Sequence, residues 1–364
     1  MASNTPPSPR HGFPFAGGED YWKVVLGVTL PRFVLDGLQA AQAAAFSRDD
    51  GHGRGLFPFR FGPTAALMAP RGVSLGKKGK GPRMGYRIEH AGMTFLIADW
   101  HSSDEDHPNV HLAIPGTTCL EHGGLNSLEL ARRVILQAGG TIDSEKLSRV
   151  DMALDAPLSM DPLYDAARER RYVARIRCLR EIEHHTRTLV FGSAPLTLTI
   201  YDKLGEVRQR QDDAKLALML ARRWGNARPH HAIRIEYRIL REQLREFGID
   251  SPADYFRLRG ALAAHLTREW LRFTAGPVDR RNRNTARAAT LPAWREIADG
   301  FAAWAGQPNG EVLAPLPPRP PDISRLLCQQ YGLLKAIARA KAMDPIPASE
   351  FEEWVLRHGM RKVP

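Results

Sequence analysis

The sequence is poor in cysteine and lacks a long apolar run, a nucleotide loop and a paired-histidine metal motif, and each absence narrows what the protein can be. Three cysteines, Cys119, Cys178 and Cys328, occur in 364 residues. They are far apart, odd in number and include no Cys-x-x-Cys pair, so neither a disulfide framework nor a cysteine-rich zinc site is expected, and a reducing cytoplasm fits. No apolar stretch reaches the length of a membrane span. Residues 1–15 are rich in Pro and Ser and hold no apolar segment, which reads as a flexible tail rather than a secretory signal. The residue after Gly81 is Pro82, where a P-loop requires Lys followed by Ser or Thr. Nucleotide hydrolysis is therefore unsupported. No His-hydrophobic-His pair occurs, so a metal ion would have to be held by carboxylates.

Positive charge is what the chain has in surplus. Lys and Arg total 51 against 40 acids, a net charge of +11. Such a surplus points to a polyanionic partner, because every phosphate contacted releases condensed counterions. A Gly-rich loop over residues 72–85 carries Lys77, Lys78 and Lys80, which are candidates for phosphate contacts. Hydrophobic residues make up 43% of the chain, enough for a globular core.

Periodicity divides the chain into alternating elements. Strands are expected at 21–28, 86–89, 93–98, 110–114, around Val150, from Thr188, at 196–203 and at 233–239. Helices are expected at 31–46, from Ser127 to Gly139-Gly140, at 162–173, at about 205–224, and from the Ser251-Pro252 cap to about 273. This is an α+β pattern, an antiparallel sheet with helices packed on one face. The domain reading is a flexible tail (1–20), a principal domain (21–275), and a basic segment with a helix (276–312). An extended Pro-rich linker (313–321) and a small basic helical appendage (322–364) complete it.

Three strands carry chemistry on one face. Side chains alternate along a strand, so position parity sorts them. In 149–155, Val150, Met152 and Leu154 take the core side, leaving Asp151 and Asp155 opposite. In 196–203, Leu196, Leu198 and Ile200 are core, leaving Tyr201 and Lys203. In 233–239, the apolar positions leave Arg234, Glu236 and Arg238. If the three strands are neighbours, carboxylates, a phenol and cations share one groove. That mixture suits phosphodiester transfer. Asp151 and Glu236 offer oxygen ligands to a hard divalent ion. A phenol with a pKa near 10 needs a cation to favour the phenolate, and Lys203 lies two residues on. Arg234 and Arg238 suit bidentate phosphate binding. A solvated sheet face carries the same residue types, so one such strand alone would be uninformative.

These segments resemble the replication initiation factor family, the rolling-circle initiators of plasmids and filamentous phages. Arg149 to Asp155 is similar to the family's Arg-hydrophobic-Asp-x-Ala-x-Asp strand. Thr188 to Ser193 and Ile200-Tyr201-Asp202-Lys203 look like its Thr-x-x-Phe-Gly-Ser and Ile-Tyr-Asp/Asn-Lys elements, and Arg234-Ile235-Glu236 is similar to its Arg-hydrophobic-Glu strand. Many members have Tyr where this chain has Val190. The resemblance implies a replication initiator that nicks one DNA strand and later rejoins it. Tyr201 would be the nucleophile and stay joined to the 5′ phosphate, leaving a free 3′ hydroxyl. Asp151 and Glu236, with Asp155 as a third candidate, would hold Mg2+ or Mn2+. Arg149 joins Arg234, Arg238, Lys77, Lys78 and Lys80 among the nucleic-acid-binding candidates. The implied partners are origin DNA, single-stranded or extruded as a hairpin, and a host helicase and polymerase, with a homodimer among the states allowed and no membrane.

Two other signals carry less. His107 and His111 have a spacing sometimes seen at metal sites, but Pro108 bars a helix and no third ligand is evident, so they read as ordinary loop and strand histidines. His265 and Arg268 match a tyrosine recombinase's His-x-x-Arg, a pairing commonplace on a solvated helix face. The rival of a different class is a DNA-binding replication-control protein that keeps the fold without cutting.

Overall fold

The computed structural model describes residues 15–53, 55–75, 83–98, 108–174, 179–183, 187–227, 229–278, 287–317, 330–333 and 335. The chain divides into two compact units, Met1–Leu316 and Pro317–Pro364. The second is described only at 317, 330–333 and 335, and 330–333 and 335 are helical, as expected of the appendage over 322–364; the rest of that appendage lies outside the described residues.

The first unit begins with β1 (Ala16–Thr29) and α1 (Arg32–Arg48), followed by the hairpin β2 (Phe57–Phe61) and β3 (Thr64–Met68). Next come the short pair β4 (Val73–Ser74) and β5 (Arg83–Met84), then β6 (Tyr86–His90), β7 (Met93–Ile97) and β8 (Val110–Pro115). Two helices, α2 (Gly116–His122) and α3 (Gly124–Gln137), lead to β9 (Thr141–Ala156) and α4 (Asp161–Arg168). Strands β10 (Tyr172–Ala174), β11 (Leu179–Glu183), β12 (Arg187–Ser193) and β13 (Leu196–Asp202) precede α5 (Lys203–Gln209) and α6 (Asp213–Arg222). The chain continues through β14 (Ile233–Leu240), α7 (Arg241–Glu246), α8 (Pro252–His265), β15 (Leu271–Phe273) and α9 (Pro292–Ala305).

Eleven strands form one sheet in the order β11-β12-β13-β14-β9-β1-β8-β7-β6-β3-β2, with every neighbouring pair antiparallel. One face meets the main core. Trp22, Val24 and Leu26 of β1, Val150, Met152 and Leu154 of β9, and Ile235, Tyr237 and Ile239 of β14 pack with Tyr255 and Leu258 of α8 and Trp294 and Phe301 of α9. The α+β expectation is met.

Four local departures have physical reasons. The first described strand starts at Ala16, inside the expected tail, where Gly17 and Gly18 let side chains press onto the backbone. A Cβ on Gly17 would lie 2.2 Å from the Trp304 ring, and one on Gly18 would lie 2.6 Å from Arg223 Nη2. The long helix expected at 205–224 is two helices, broken where Gln211 takes φ 52° and Asp212 caps the second by accepting from Lys215 N. The helix opened by Ser251 has the full capping box with Asp254, but it loosens into a π turn at Leu266–Trp270 and ends as β15. The helix expected at 162–173 stops at Arg168 because Arg170 takes φ 54°, which no helix continues through, and β10 follows.

The opposite sheet face is partly covered as well. Leu204, Met219, Trp224 and Ala232 form a second small cluster, joined by Leu120 of α2. Trp224 donates to Asp155 on this face. Helices therefore sit on both faces at this end of the sheet. Among the described residues no helix is long and apolar enough to cross a membrane.

Candidate active site

The strand order brings β13, β14 and β9 side by side, the arrangement the parity argument required. Rows of residues then run across the strands on the face away from the main core. Tyr201 lies opposite Arg234, which lies opposite Asp155. In the next row Thr199 faces Glu236 and Glu236 faces Ala153; in the third, Thr197 faces Arg238 and Arg238 faces Asp151. β1 continues the third row, since Tyr21 faces Asp151. Because the middle row is made largely of small residues, the long side chains on either side can lean over it.

Tyr201 leans toward Glu236. Its hydroxyl donates to Glu236 Oε2 at 3.3 Å, and Lys203 Nζ donates to the same hydroxyl at 3.4 Å. Lys203 is the first residue of α5 rather than a strand residue, yet it is buried and reaches Tyr201 because its backbone N–H is pinned to Ala232 O. Glu206, one helical turn on, accepts from Lys203 Nζ at 2.8 Å and also pairs with Arg210 and Lys215.

The electrostatics follow from this crowding. Burial pushes the Tyr201 phenol well above its ordinary value, with Arg234 opposing and Glu236 reinforcing the rise. Burial raises the Glu236 carboxyl too, and the Asp20 carboxylate adds to it. Lys203 is pushed down to about 8 by burial and by Arg234, against the pull of Glu206. The phenol therefore sits between a carboxylate made a better base and an ammonium made a better acid.

Two residues placed in the groove by sequence are instead each other's partner. Arg234 is fully buried and donates to Asp155 from Nε at 2.6 Å and Nη2 at 3.0 Å, and Trp224 Nε1 adds a third bond at 3.0 Å. Its remaining arm, Nη1, reaches Asp20 Oδ1 at 2.6 Å. Arg234 thus has no free edge for a phosphate, and both oxygens of Asp155 are occupied. Burial alone would raise Asp155, but the guanidinium outweighs it and holds the carboxyl below its usual value.

Asp151 is also engaged. Arg149 grips both of its oxygens, and Arg238 Nε approaches at 3.4 Å. Arg149 also lies 4.2 Å above the Tyr21 ring. Arg238 remains half-exposed between Asp151 and Glu236, the best placed of the arginines to meet a ligand. Lys77, Lys78 and Lys80 lie outside the described residues.

Sequence reasoning missed Asp20. A β-bulge between the Glu19–Met152 and Tyr21–Asp151 pairs leaves Asp20 as the extra residue. Beyond it the parity of β1 reverses: Glu19 turns to the helix side and bonds the Tyr255 hydroxyl, while Asp20 and Tyr21 both serve the site. Alternation cannot reveal a bulge, and only the adjoining Gly17-Gly18 hinted at irregular backbone.

A divalent ion needs several oxygens converging on one point. Among the described residues no three Asp, Glu, His or Cys side chains do so. Asp155 is spent on Arg234 and Trp224, and Asp151 on Arg149. The residues as arranged do not fit an ion held by the protein alone.

No family profile and no curated protein matches the chain. Among solved structures, it is similar to the rolling circle replication initiator protein from Geobacillus stearothermophilus. The TM-score is 0.43 and the identity 14%, over 79% of this chain and 96% of that one. A likeness at that level leaves function to the geometry of the site itself.

Proposed function

We propose that this protein is a DNA nicking and rejoining enzyme of the rolling-circle initiator type, with Tyr201 as its nucleophile. The observation that carries the reading is the phenol held between Glu236 and Lys203, at 3.3 and 3.4 Å. Reach of this order suits a base and a cation that tighten on the phenol when substrate binds.

The Tyr201 proton passes to Glu236, and the Lys203 ammonium stabilises the phenolate. The phenolate oxygen attacks phosphorus, the bond to the 3′ oxygen breaks, and that oxygen takes a proton from solvent water, giving a 5′-phosphotyrosyl link and a 3′ hydroxyl. Arg238 meets the non-bridging phosphate oxygens. In rejoining, a 3′ hydroxyl gives up its proton to solvent water and displaces Tyr201, which recovers its proton from Glu236. None of these steps runs through a metal ion. Origin DNA is the partner, and the cytoplasm is where the reaction takes place.

The test is to incubate the protein with supercoiled DNA carrying its own gene's flanking region, with Mn2+ and with EDTA, denature, and seek protein joined to a 5′ DNA end. An adduct absent from Tyr201→Phe supports the nickase. The burial that raises the Tyr201 phenol favours the second reading, a non-cutting replication-control protein. Tight origin binding with no adduct under either condition selects it. The recombinase reading has less to support it, since His265 is paired with Glu269 and packed against Phe247.

A further inference from the structure

The site face of the sheet carries a second polar group, beyond Arg149. Lys23 on β1 faces Arg149 on β9 directly. Val25, two residues on, faces His111 on β8, so His111 is the diagonal neighbour of Lys23, at about 7–8 Å between backbones and within reach of a long side chain. All three side chains are half-buried.

Arg149 is paired with Asp151, but Lys23 is not matched in the same way. Burial disfavours the Lys23 ammonium and the Arg149 guanidinium disfavours it further, and among the described residues no acid offsets either effect. His111 is pushed down to about 4 by burial and then by Lys23. Its Nδ1 is buried and, among the described residues, has no hydrogen-bond partner. Arg149 spends Nε and Nη2 on Asp151, which leaves the two N–H groups of Nη1. A lone ammonium beside an orphaned imidazole nitrogen is costly in a half-buried setting unless something answers it. An oxyanion does: it accepts from Lys23 Nζ, from a protonated His111 and from Arg149 Nη1, and it supplies the missing negative charge.

We propose that Lys23, His111 and Arg149 form a second phosphate site, which holds a backbone phosphate of the same nucleic-acid strand that is cut at Tyr201. The proposal rests on the nickase reading for the identity of the strand. β13, β14, β9 and β1 are consecutive in the sheet, so the two sites are three strand spacings apart, about 14 Å. A single strand crosses that distance within a few nucleotides. The site sets the direction in which DNA leaves the scissile phosphate, across β9 and β1 toward β8.

The experiment follows the His111 ring signals of the full chain by NMR, assigned by their loss in His111→Gln, as inorganic phosphate is added. A saturable shift that disappears in Lys23→Gln and survives in Lys23→Arg is the expected result. In parallel, the affinity of a single-stranded oligonucleotide is measured against salt in the Tyr201→Phe background, where no cleavage occurs. Lys23→Gln should weaken binding several-fold and lower the log–log salt slope by about one. No response of His111 to phosphate overturns the site. A phosphate response with unchanged oligonucleotide affinity and slope overturns its assignment to DNA and makes it a site for free phosphate. Neither readout needs a covalent adduct, so failure of the nickase chemistry is told apart from failure of this site.

Discussion

Arg234 holds Asp155 through two parallel hydrogen bonds of 2.6 and 3.0 Å, with both side chains removed from solvent. The pair lies beside Tyr201, in the same cross-strand row and on the same face of the sheet. Removing one partner strands the other charge in the interior, so Asp155→Asn or Arg234→Met should lower unfolding stability by about 3–5 kcal/mol. Urea denaturation checks this, and wild-type stability with impaired DNA cleavage would instead return the two residues to the groove.

Glu236 is the proton acceptor in the proposed chemistry. Glu236→Gln keeps the shape and removes the base, and adduct formation should fall by roughly 10²–10⁴-fold. Oligonucleotide affinity should stay near wild type. A loss of affinity with an unchanged single-turnover rate would make Glu236 a binding residue.

The pH profile of adduct formation should have two limbs. Glu236 must be ionised, and its raised carboxyl places the rising limb above the ordinary carboxylate range. Lys203 must be protonated, so activity should fall as pH rises through about 8. Lys203→Arg, whose cation persists, should carry activity past that limit. If its falling limb coincides with the wild type's, another group is titrating there.

Arg238 and Arg234 should separate cleanly in salt titrations of DNA binding. Arg238→Ala should reduce the slope by about one, the mark of a lost phosphate contact, while its fold stays intact. Arg234 is sealed behind Asp20 and Asp155, so the slope of any folded Arg234 variant should be unchanged. Equal slope losses would mean that the groove opens on DNA.

Free protein should show no saturable Mn2+ site by calorimetry, because Asp151 and Asp155 are already met by guanidinium and indole donors. A site that vanishes in Asp151→Asn would restore the ion expected from sequence.

Much of the fold and part of the site were legible because strands alternate. Parity put Asp151, Tyr201 and Glu236 on one face, and the β13-β14-β9 order makes those faces coincide. What parity could not convey is reach. It sees that Arg234 and Asp155 share a face, but not that they sit opposite one another and bond to each other. Nor could it find Asp20, placed by a bulge, or Glu206, which belongs to a helix whose start depends on Asp202 accepting from Gly205 N. The β2–β3 hairpin escaped notice because Phe57, Phe59 and Phe61 follow a Gly-rich stretch that reads as loop.

β1 is the first of the described strands in the chain and the middle one of eleven in the sheet, paired to β8 on one side and β9 on the other. During synthesis it must therefore wait for both. Once residue 115 has emerged, β1 can close the wing that runs through β8 to β2, but its other edge stays bare until β9 arrives. A ribosome paused between these points holds half a sheet with a hydrophobic, unpaired margin, the kind of surface that recruits a second nascent chain. The pace of translation over residues 116–140 thus becomes a determinant of how much protein folds.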